Sequence, residues 1–326
     1  MDIFVYSCRY DELPVLPSLR EKYGVTIDYT KELLTPDTVE LARGYTCISM
    51  TASQVNADLL QKMYDMGVRF ISTRSIGFDH IDIESAKKIG MVVGHTVYSP
   101  AAIADFATLL ILMAVRKVTT ILKNYEQNDF RLSEVQGREI HNLTIGVIGT
   151  GRIGKTVIKN LSGFGCKLLA YDSYPDEKLK QYVEYHDRAY LYAHCDVLTF
   201  HAPATPETFH LLSCADLPGL KKGMIIVNTA RGTLVETKAL LQGLADGTIG
   251  FAALDVVEQE PSYRNRIVQP DIYKAPEILS LENHPQVMLT PHIAFHTDQA
   301  AYDMISNSMQ SCCCFIKGEE IPWKIC

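Results

Sequence analysis

"GVIGTGRIGK" (146–155) reads as the end of an apolar strand, a glycine-rich turn and the opening of a helix. Gly149, Gly151 and Gly154 stand in the spacing G-x-G-x-x-G. In that spacing the first glycine allows a tight turn, the second lets backbone approach a pyrophosphate, and the third lets the helix pack closely. A helix beginning at Arg152 and Ile153 would offer free N–H groups and a partial positive charge to the anion. The next apolar run, "KLLAYD" (167–172), ends in Asp172, 18 residues past Gly154. A carboxylate there can accept hydrogen bonds from both hydroxyls of an adenosine ribose, and its charge would repel a 2′-phosphate. Ser173 supplies no cation to hold one. The stretch therefore predicts an NAD(H) site that binds NADP(H) poorly.

This cradle begins almost halfway along 326 residues, a length that suits two domains with separate cores. Ahead of it, "IFVYS" (3–7), "VTIDY" (25–29), "CISMT" (47–51), "RFIST" (69–73) and "MVVGH" (91–95) read as strands. Between them Asn56 and Asp82 are placed to cap helices that stop at Gly67 and Gly90. Then "SPAAIADFATLLILMAVRKVTTILKNYE" (99–126) predicts one long, buried helix, with Ser99 as N-cap and Pro100 in the first turn. After Leu143 the alternation restarts with strands at 144–148, 167–172, 196–200, 224–229, 250–255 and 286–290, and a last helix from about Asp298 to Ile316. Repeated βα units imply parallel sheets covered by helices. The predicted fold is α/β, with two doubly wound parallel-sheet domains and a cleft between them. The first domain would cover the cofactor held by the second.

Bulk properties narrow the function classes. The net charge is −7 and no basic run stands out, which argues against a nucleic-acid partner. The start "MDIFVYSCRYDE" has no signal-peptide layout, and no apolar run is long enough to span a bilayer, so a cytoplasmic protein is expected. Among nine cysteines, Cys8, Cys47, Cys166 and Cys195 lie in or beside apolar strands, where a reduced thiol acts as a small hydrophobe. Cys312, Cys313 and Cys314 are consecutive on a helix and point about 100° apart, so they cannot close on one metal. They read as packing residues or reactive surface thiols, and no metal site is expected.

Ligands of doubly wound sheets lie off the carboxyl ends of the strands. That rule selects Arg231 in "MIIVNTARG", Asp255 and Glu260 in "GFAALDVVEQE", and His292 in "VMLTPHIAFH". An arginine, a carboxylate and a histidine suit the reduction of a 2-oxo acid. Arginine offers a planar fork for the carboxylate and the polarised carbonyl. Histidine titrates near neutrality and can protonate the oxygen as hydride reaches carbon. A carboxylate beside it favours the imidazolium form and fixes the ring. His296, His201 and His210 read as supporting or structural histidines.

"GTGRIG", Asp172, "HAP" (201–203), "NTARG" (228–232), "LDVVEQE" (254–260) and "TPHIAFHT" (290–297) resemble the D-specific 2-hydroxy acid dehydrogenases, essentially end to end. "ISTRSIGFDHID" (71–82), "VYSPAAIADF" (97–106) and the 31 residues between Glu260 and His292 look most like the D-lactate dehydrogenase branch, including the enzyme of vancomycin-resistance operons. The resemblance implies that Arg231 binds substrate, that Glu260 pairs with His292, and that His292 is the acid/base. It implies that amides around Ile76 and Gly77 hold the substrate carboxylate and that Tyr98 closes the pocket. For NAD it implies Arg152, Ile153, Asp172, Ala202 and Pro203, with Thr208, Thr229, Ala230 and Asp255. It also implies a discontinuous substrate domain (1–99 plus 297–326) of flavodoxin-like form, a Rossmann NAD domain (100–296), and a homodimer built through the latter. His296 replaces the common tyrosine of "HTAFYT"-like stretches, and "RSIG" carries a small serine.

The expected reaction is NADH-dependent reduction of pyruvate, or a close 2-oxo acid, to the D-2-hydroxy acid. A rival on the same fold takes larger acids such as phenylpyruvate or 2-oxoisocaproate. A rival of another class is a NAD-sensing, corepressor-like scaffold. That role would call for partner-binding tails, whereas the chain ends about ten residues past its last helix.

Overall fold

The computed structural model describes residues 2–51, 53–133, 135–258 and 275–326. The chain divides into two compact units, Met1–Ser99 with His296–Cys326, and Pro100–Phe295. The second crossing falls one residue earlier than the sequence reading, so His296 belongs with the first unit.

In the first unit β1 (Ile3–Val5), β2 (Ile27–Tyr29), β3 (Cys47–Met50), β4 (Phe70–Thr73) and β5 (Val92–Gly94) form one parallel sheet in the order β2-β1-β3-β4-β5. That is the flavodoxin-like winding. The helices α1 (Leu16–Tyr23), α2 (Ala57–Asp65) and α3 (Ile83–Ile89) alternate with the strands. Both predicted caps form, Asn56 accepting from the Leu59 amide at 3.0 Å and Asp82 from the Ser85 amide at 2.9 Å. The stops differ slightly. Gly90 ends α3 in the left-handed region, whereas α2 ends at Met66 with Gly67 just beyond.

The carboxyl-terminal helix Asp298–Lys317 returns to this sheet, burying Ile305, Met309, Cys312 and Cys313 against Ile3, Val5 and Phe70. Two of the three consecutive cysteines are thus packing residues, and burial pushes the Cys313 thiol up to about 12. Cys314 is half-buried. All nine cysteines are free thiols, and no cluster suited to a metal ion occurs among the described residues.

In the second unit β6 (Thr144–Ile148), β7 (Lys167–Tyr171), β8 (Glu184–Tyr185), β9 (Val197–Phe200), β10 (Met224–Asn228), β11 (Ile249–Leu254) and β12 (Val287–Leu289) form a parallel sheet in the order β12-β11-β10-β9-β6-β7-β8. The chain winds outward from β6 to β8, returns to β9 and winds the other way, so the winding reverses between β6 and β9. Side chains alternate between two cores along each strand. Ile145, Val147, Val197 and Val227 face one; Ile148, Leu198, Phe200 and Ile226 face the other. Helix α4 (Pro100–Val115) packs its Ala104, Ala107 and Ile111 into the first of these cores.

Two sequence expectations need correction. The single helix over 99–126 is two helices, α4 and α5 (Val118–Glu126), because Lys117 takes φ +52°. The reason is not local. The Val115 carbonyl accepts the Arg138 amide at 2.9 Å, and at Gly137 a Cβ would lie 2.9 Å from Arg116 Cα. Helix α5 buries none of its residues and exposes Ile121, Leu122 and Tyr125. The sequence reading also missed β8, an edge strand of two residues. No helix among the described residues is long and apolar enough to cross a membrane.

Candidate active site

The glycine turn joins β6 to helix α6 (Arg152–Ser162) at the reversal point of the sheet. Gly149 has φ +93°, and a Cβ there would lie 2.7 Å from the backbone of His201 and Ala202. A Cβ on Gly154 would stand 1.9 Å from the Gly149 carbonyl oxygen. At Gly151 it would meet nothing within 4 Å. Two glycines are therefore required by packing within the chain. The third keeps the approach to the helix open, and as N-cap it has no side chain to occupy the amides of Ile153 and Gly154.

Asp172 follows β7. Its Oδ2 accepts from the Thr150 amide (2.6 Å) and hydroxyl (2.9 Å), and its Oδ1 from the Tyr174 amide (2.8 Å). These bonds tie the carboxylate to the glycine turn. On the reversal side, His201 is buried after β9, with Nε2 at 2.9 Å from Thr199 Oγ1 and no partner for Nδ1 among the described residues. Burial pushes this imidazole down to about 3, so it stays neutral and does not serve as an acid. Thr208 donates to the Pro203 carbonyl at 2.6 Å and braces the turn that carries Ala202 and Pro203. Thr229, just past β10, is buried with a hydroxyl that has no partner among the described residues. An open helix end, a fixed carboxylate and an unmatched hydroxyl on one edge fit a bound dinucleotide.

Next along that edge come Arg231, Asp255 and His292. Strands β10, β11 and β12 are adjacent and in register at Asn228, Leu254 and Leu289, so the turns after them share one rim. Asn228 donates from Nδ2 to the Arg231 carbonyl (2.8 Å) and accepts the Ala230 amide (3.0 Å), fixing the turn that bears Arg231. Gly232 lies so close to the chain after β11 that a Cβ would be 2.1 Å from the Val257 carbonyl. Arg231 donates to the Ala230 carbonyl at 2.8 Å and is partly exposed.

The Asp255 carboxylate is buried. It accepts from the Thr290 hydroxyl (2.5 Å) and from the amides of Ile293 (2.9 Å) and Ala294 (2.9 Å). The His292 amide donates to the Asp255 carbonyl at 3.0 Å. Asp255, implied by resemblance to touch the cofactor, thus grips the loop carrying His292. His292 itself is partly exposed with φ +52°, its ring beside Phe295 at 6.4 Å between centroids. Glu260 lies outside the described residues.

Sequence reasoning missed two supports of this rim, Asn228 and Glu258. Glu258 accepts from the Thr237 amide at 2.6 Å and lies 2.7 Å from His210 Nε2. Together these bonds hold its carboxyl below the usual range against the opposing effect of burial. Glu258 stands two residues before Glu260 in "VVEQE", which gave no means of separating the two carboxylates. In the first unit, Ile76 and Gly77 occupy the turn after β4, partly exposed. Among the described residues neither amide donates to a protein acceptor. Tyr98 is buried past the end of β5, and His296 Nε2 lies 3.2 Å from Asp11 Oδ2.

A model of the "D-isomer specific 2-hydroxyacid dehydrogenase, NAD binding domain" family matches residues 108–294, more than half of the chain. The chain belongs to that family. Its cofactor is NAD. It is 37% identical over 314 residues to an aromatic 2-oxoacid reductase of Clostridium sporogenes, covering 95% of both chains. Its structure is similar to a D-lactate dehydrogenase of Treponema pallidum, with TM-score 0.89, 30% identity and 100% of both chains covered. An NAD complex of a D-isomer specific 2-hydroxyacid dehydrogenase from Lactobacillus delbrueckii ssp. bulgaricus superposes with TM-score 0.84 at 30% identity, again over 100% of both chains. Family membership makes the chain a D-2-hydroxyacid dehydrogenase and places the glycine turn and Asp172 in an NAD-binding domain.

Proposed function

We propose that this dehydrogenase reduces pyruvate, or a close 2-oxo acid, to the D-2-hydroxy acid, using Arg231, Glu260 and His292. The observation that carries the reading is the shared rim of β10, β11 and β12, with Arg231 and His292 held there by Asn228 and Asp255. When bound, NADH would supply the hydride in reduction and leave as NAD+, which would accept it in the reverse direction. The Arg231 fork binds the substrate carboxylate and polarises the neighbouring carbonyl. A His292 ring nitrogen delivers the proton to the carbonyl oxygen, and Glu260 favours the charged ring. The amides of Ile76 and Gly77 hold the carboxylate, and Tyr98 lines the substrate side. For the cofactor we assign Gly149, Gly151, Arg152, Ile153, Gly154 and Asp172, together with Ala202, Pro203, Thr208, Thr229 and Ala230, and Asp255 by way of its loop.

The similarity to an aromatic 2-oxoacid reductase favours a second reading, in which phenylpyruvate or another large acid is preferred. A panel of pyruvate, 2-oxobutyrate, 2-oxoisocaproate and phenylpyruvate compared by kcat/KM decides between them. NADH oxidation with none of these would remove both readings. Asp172→Ala is expected to narrow the preference for NADH over NADPH by about 10–100-fold, the worth of hydrogen bonds to a charged group. An unchanged ratio would remove the ribose assignment.

We assign a homodimer contact to the second unit, at the outer face of α5, where Ile121, Leu122 and Tyr125 lie exposed and the Tyr125 ring meets the exposed Phe130 ring edge-on at 5.8 Å. Large exposed apolar patches mark interaction sites. We place the protein in the cytoplasm.

A further inference from the structure

Beneath the Ser75–Gly77 turn of the first unit lies an ion pair that the reaction scheme does not use. Arg74 and Glu12 are both 0% exposed, with Arg74 Nε donating to Glu12 Oε1 at 2.9 Å. The rest of the guanidinium is also committed. Nη1 donates to Ser49 Oγ at 2.9 Å, and Nη2 to the carbonyls of Tyr6 (2.8 Å) and Ser7 (3.1 Å). The Arg74 amide donates to the Met50 carbonyl at 2.7 Å. One side chain therefore bolts the residue before the turn to the ends of β1 and β3. Glu12 also accepts the Arg9 amide on Oε2 at 2.8 Å, and Arg9 Nη2 lies 3.3 Å from its Oε1.

A buried ion pair is a poor stabiliser, since well-packed apolar residues of similar volume often do as well or better. What the arginine adds is geometry, because its five N–H donors sit in a fixed planar fork. The turn that follows is braced as well. Ser75 Oγ donates to the Gly77 carbonyl at 2.7 Å and lies 2.8 Å from Thr73 Oγ1, while the Thr96 amide donates to the Ser75 carbonyl at 3.1 Å. The side chain and carbonyl of Ser75 are thereby committed, while the amides of Ile76 and Gly77 donate to no protein acceptor among the described residues.

We propose that the Arg74–Glu12 pair is a positioning device for substrate binding, fixing the Ser75–Gly77 turn so that its amides converge on the carboxylate of the 2-oxo acid. This rests on the carboxylate role proposed above for Ile76 and Gly77. Glu12 and Arg74 are positioning residues and touch no reacting atom.

The test uses Arg74→Lys, which keeps the charge opposite Glu12 and loses the fork, and the double variant Arg74→Met/Glu12→Gln, which removes both charges. KM for the 2-oxo acid, KM for NADH, Tm and hydrogen exchange of the peptide spanning 75–80 are measured on the full chain. Misplacing a binding group by about 1 Å is worth up to about 10²-fold, so KM for the 2-oxo acid is expected to rise about 10–100-fold. Loss of uniform binding leaves kcat, and here KM for NADH, within about twofold. Exchange at Ile76 and Gly77 is expected to accelerate. A folded Arg74→Lys protein with wild-type KM and wild-type exchange would overturn the inference.

If neither Arg74 variant folds, Ser75→Ala leaves the buried charges in place and removes the brace on Gly77. About a tenfold rise in KM with faster exchange supports the inference, since a single hydrogen bond is worth about that much, and unchanged values overturn it. Failure of the functional reading is separately visible. Wild-type protein inactive on every 2-oxo acid sinks that reading, while the exchange arm still decides whether the pair fixes the turn.

Discussion

His292→Asn is expected to lower kcat/KM for the 2-oxo acid by about 10²–10⁴-fold while leaving NADH binding and Tm close to wild type. Asparagine is the informative replacement because His292 has φ +52°. Histidine and asparagine are among the few non-glycine residues that occupy this region readily, whereas a β-branched residue there is a genuine outlier. His292→Val would therefore mix backbone strain with lost chemistry. The loop itself should survive the change, since its bonds run from the amides of residues 292–294 and the Thr290 hydroxyl to Asp255. Retention of more than about a tenth of the wild-type rate would exclude His292 as the positioned acid, whose contribution is expected to be at least about 10²-fold.

Arg231→Lys should reduce kcat/KM by about 10²–10³-fold, the range seen when one donor to a developing oxyanion is removed. Lysine keeps the positive charge and loses the bidentate fork, so the comparison isolates geometry from charge. The turn is insulated from the substitution because Asn228 holds the Arg231 carbonyl and the Ala230 amide, both backbone groups. Steady-state kinetics should show KM for the 2-oxo acid rising and kcat falling together, since the role proposed for the fork is both to bind the carboxylate and to polarise the carbonyl. A variant with changed KM and unchanged kcat would confine Arg231 to binding alone.

Much of this was legible in the sequence, for identifiable physical reasons. The glycine turn could be read because two of its glycines answer a steric demand, at distances below 3 Å that no Cβ tolerates, and the third leaves the start of the helix open. The strands could be read because parallel strands buried on both faces appear as short apolar, β-branched runs. Arg231, Asp255 and His292 could be placed because each follows such a run directly. What escaped depends on partners distant in sequence. The break between α4 and α5 comes from Arg138, more than twenty residues after the Val115 carbonyl it engages. The two residues of β8 carry too little pattern to register. Arg74 sits in plain view in "ISTRSIG", yet its meaning depends on Glu12, 62 residues away. The task of Glu258 is equally silent in "VVEQE", since only its contacts with His210 and Thr237 reveal it.

The grip of Asp255 on residues 290–294 has a thermodynamic consequence. A flexible segment must lose conformational entropy when a ligand orders it, and that loss is subtracted from affinity. Here the segment is ordered when the chain folds, by a carboxylate that engages a hydroxyl and two amides of its own protein. The backbone that carries His292 is therefore set before any small molecule arrives. Binding free energy can go to discriminating one acid from another, and side chains elsewhere in the protein are free to diverge over generations while this loop stays where it is.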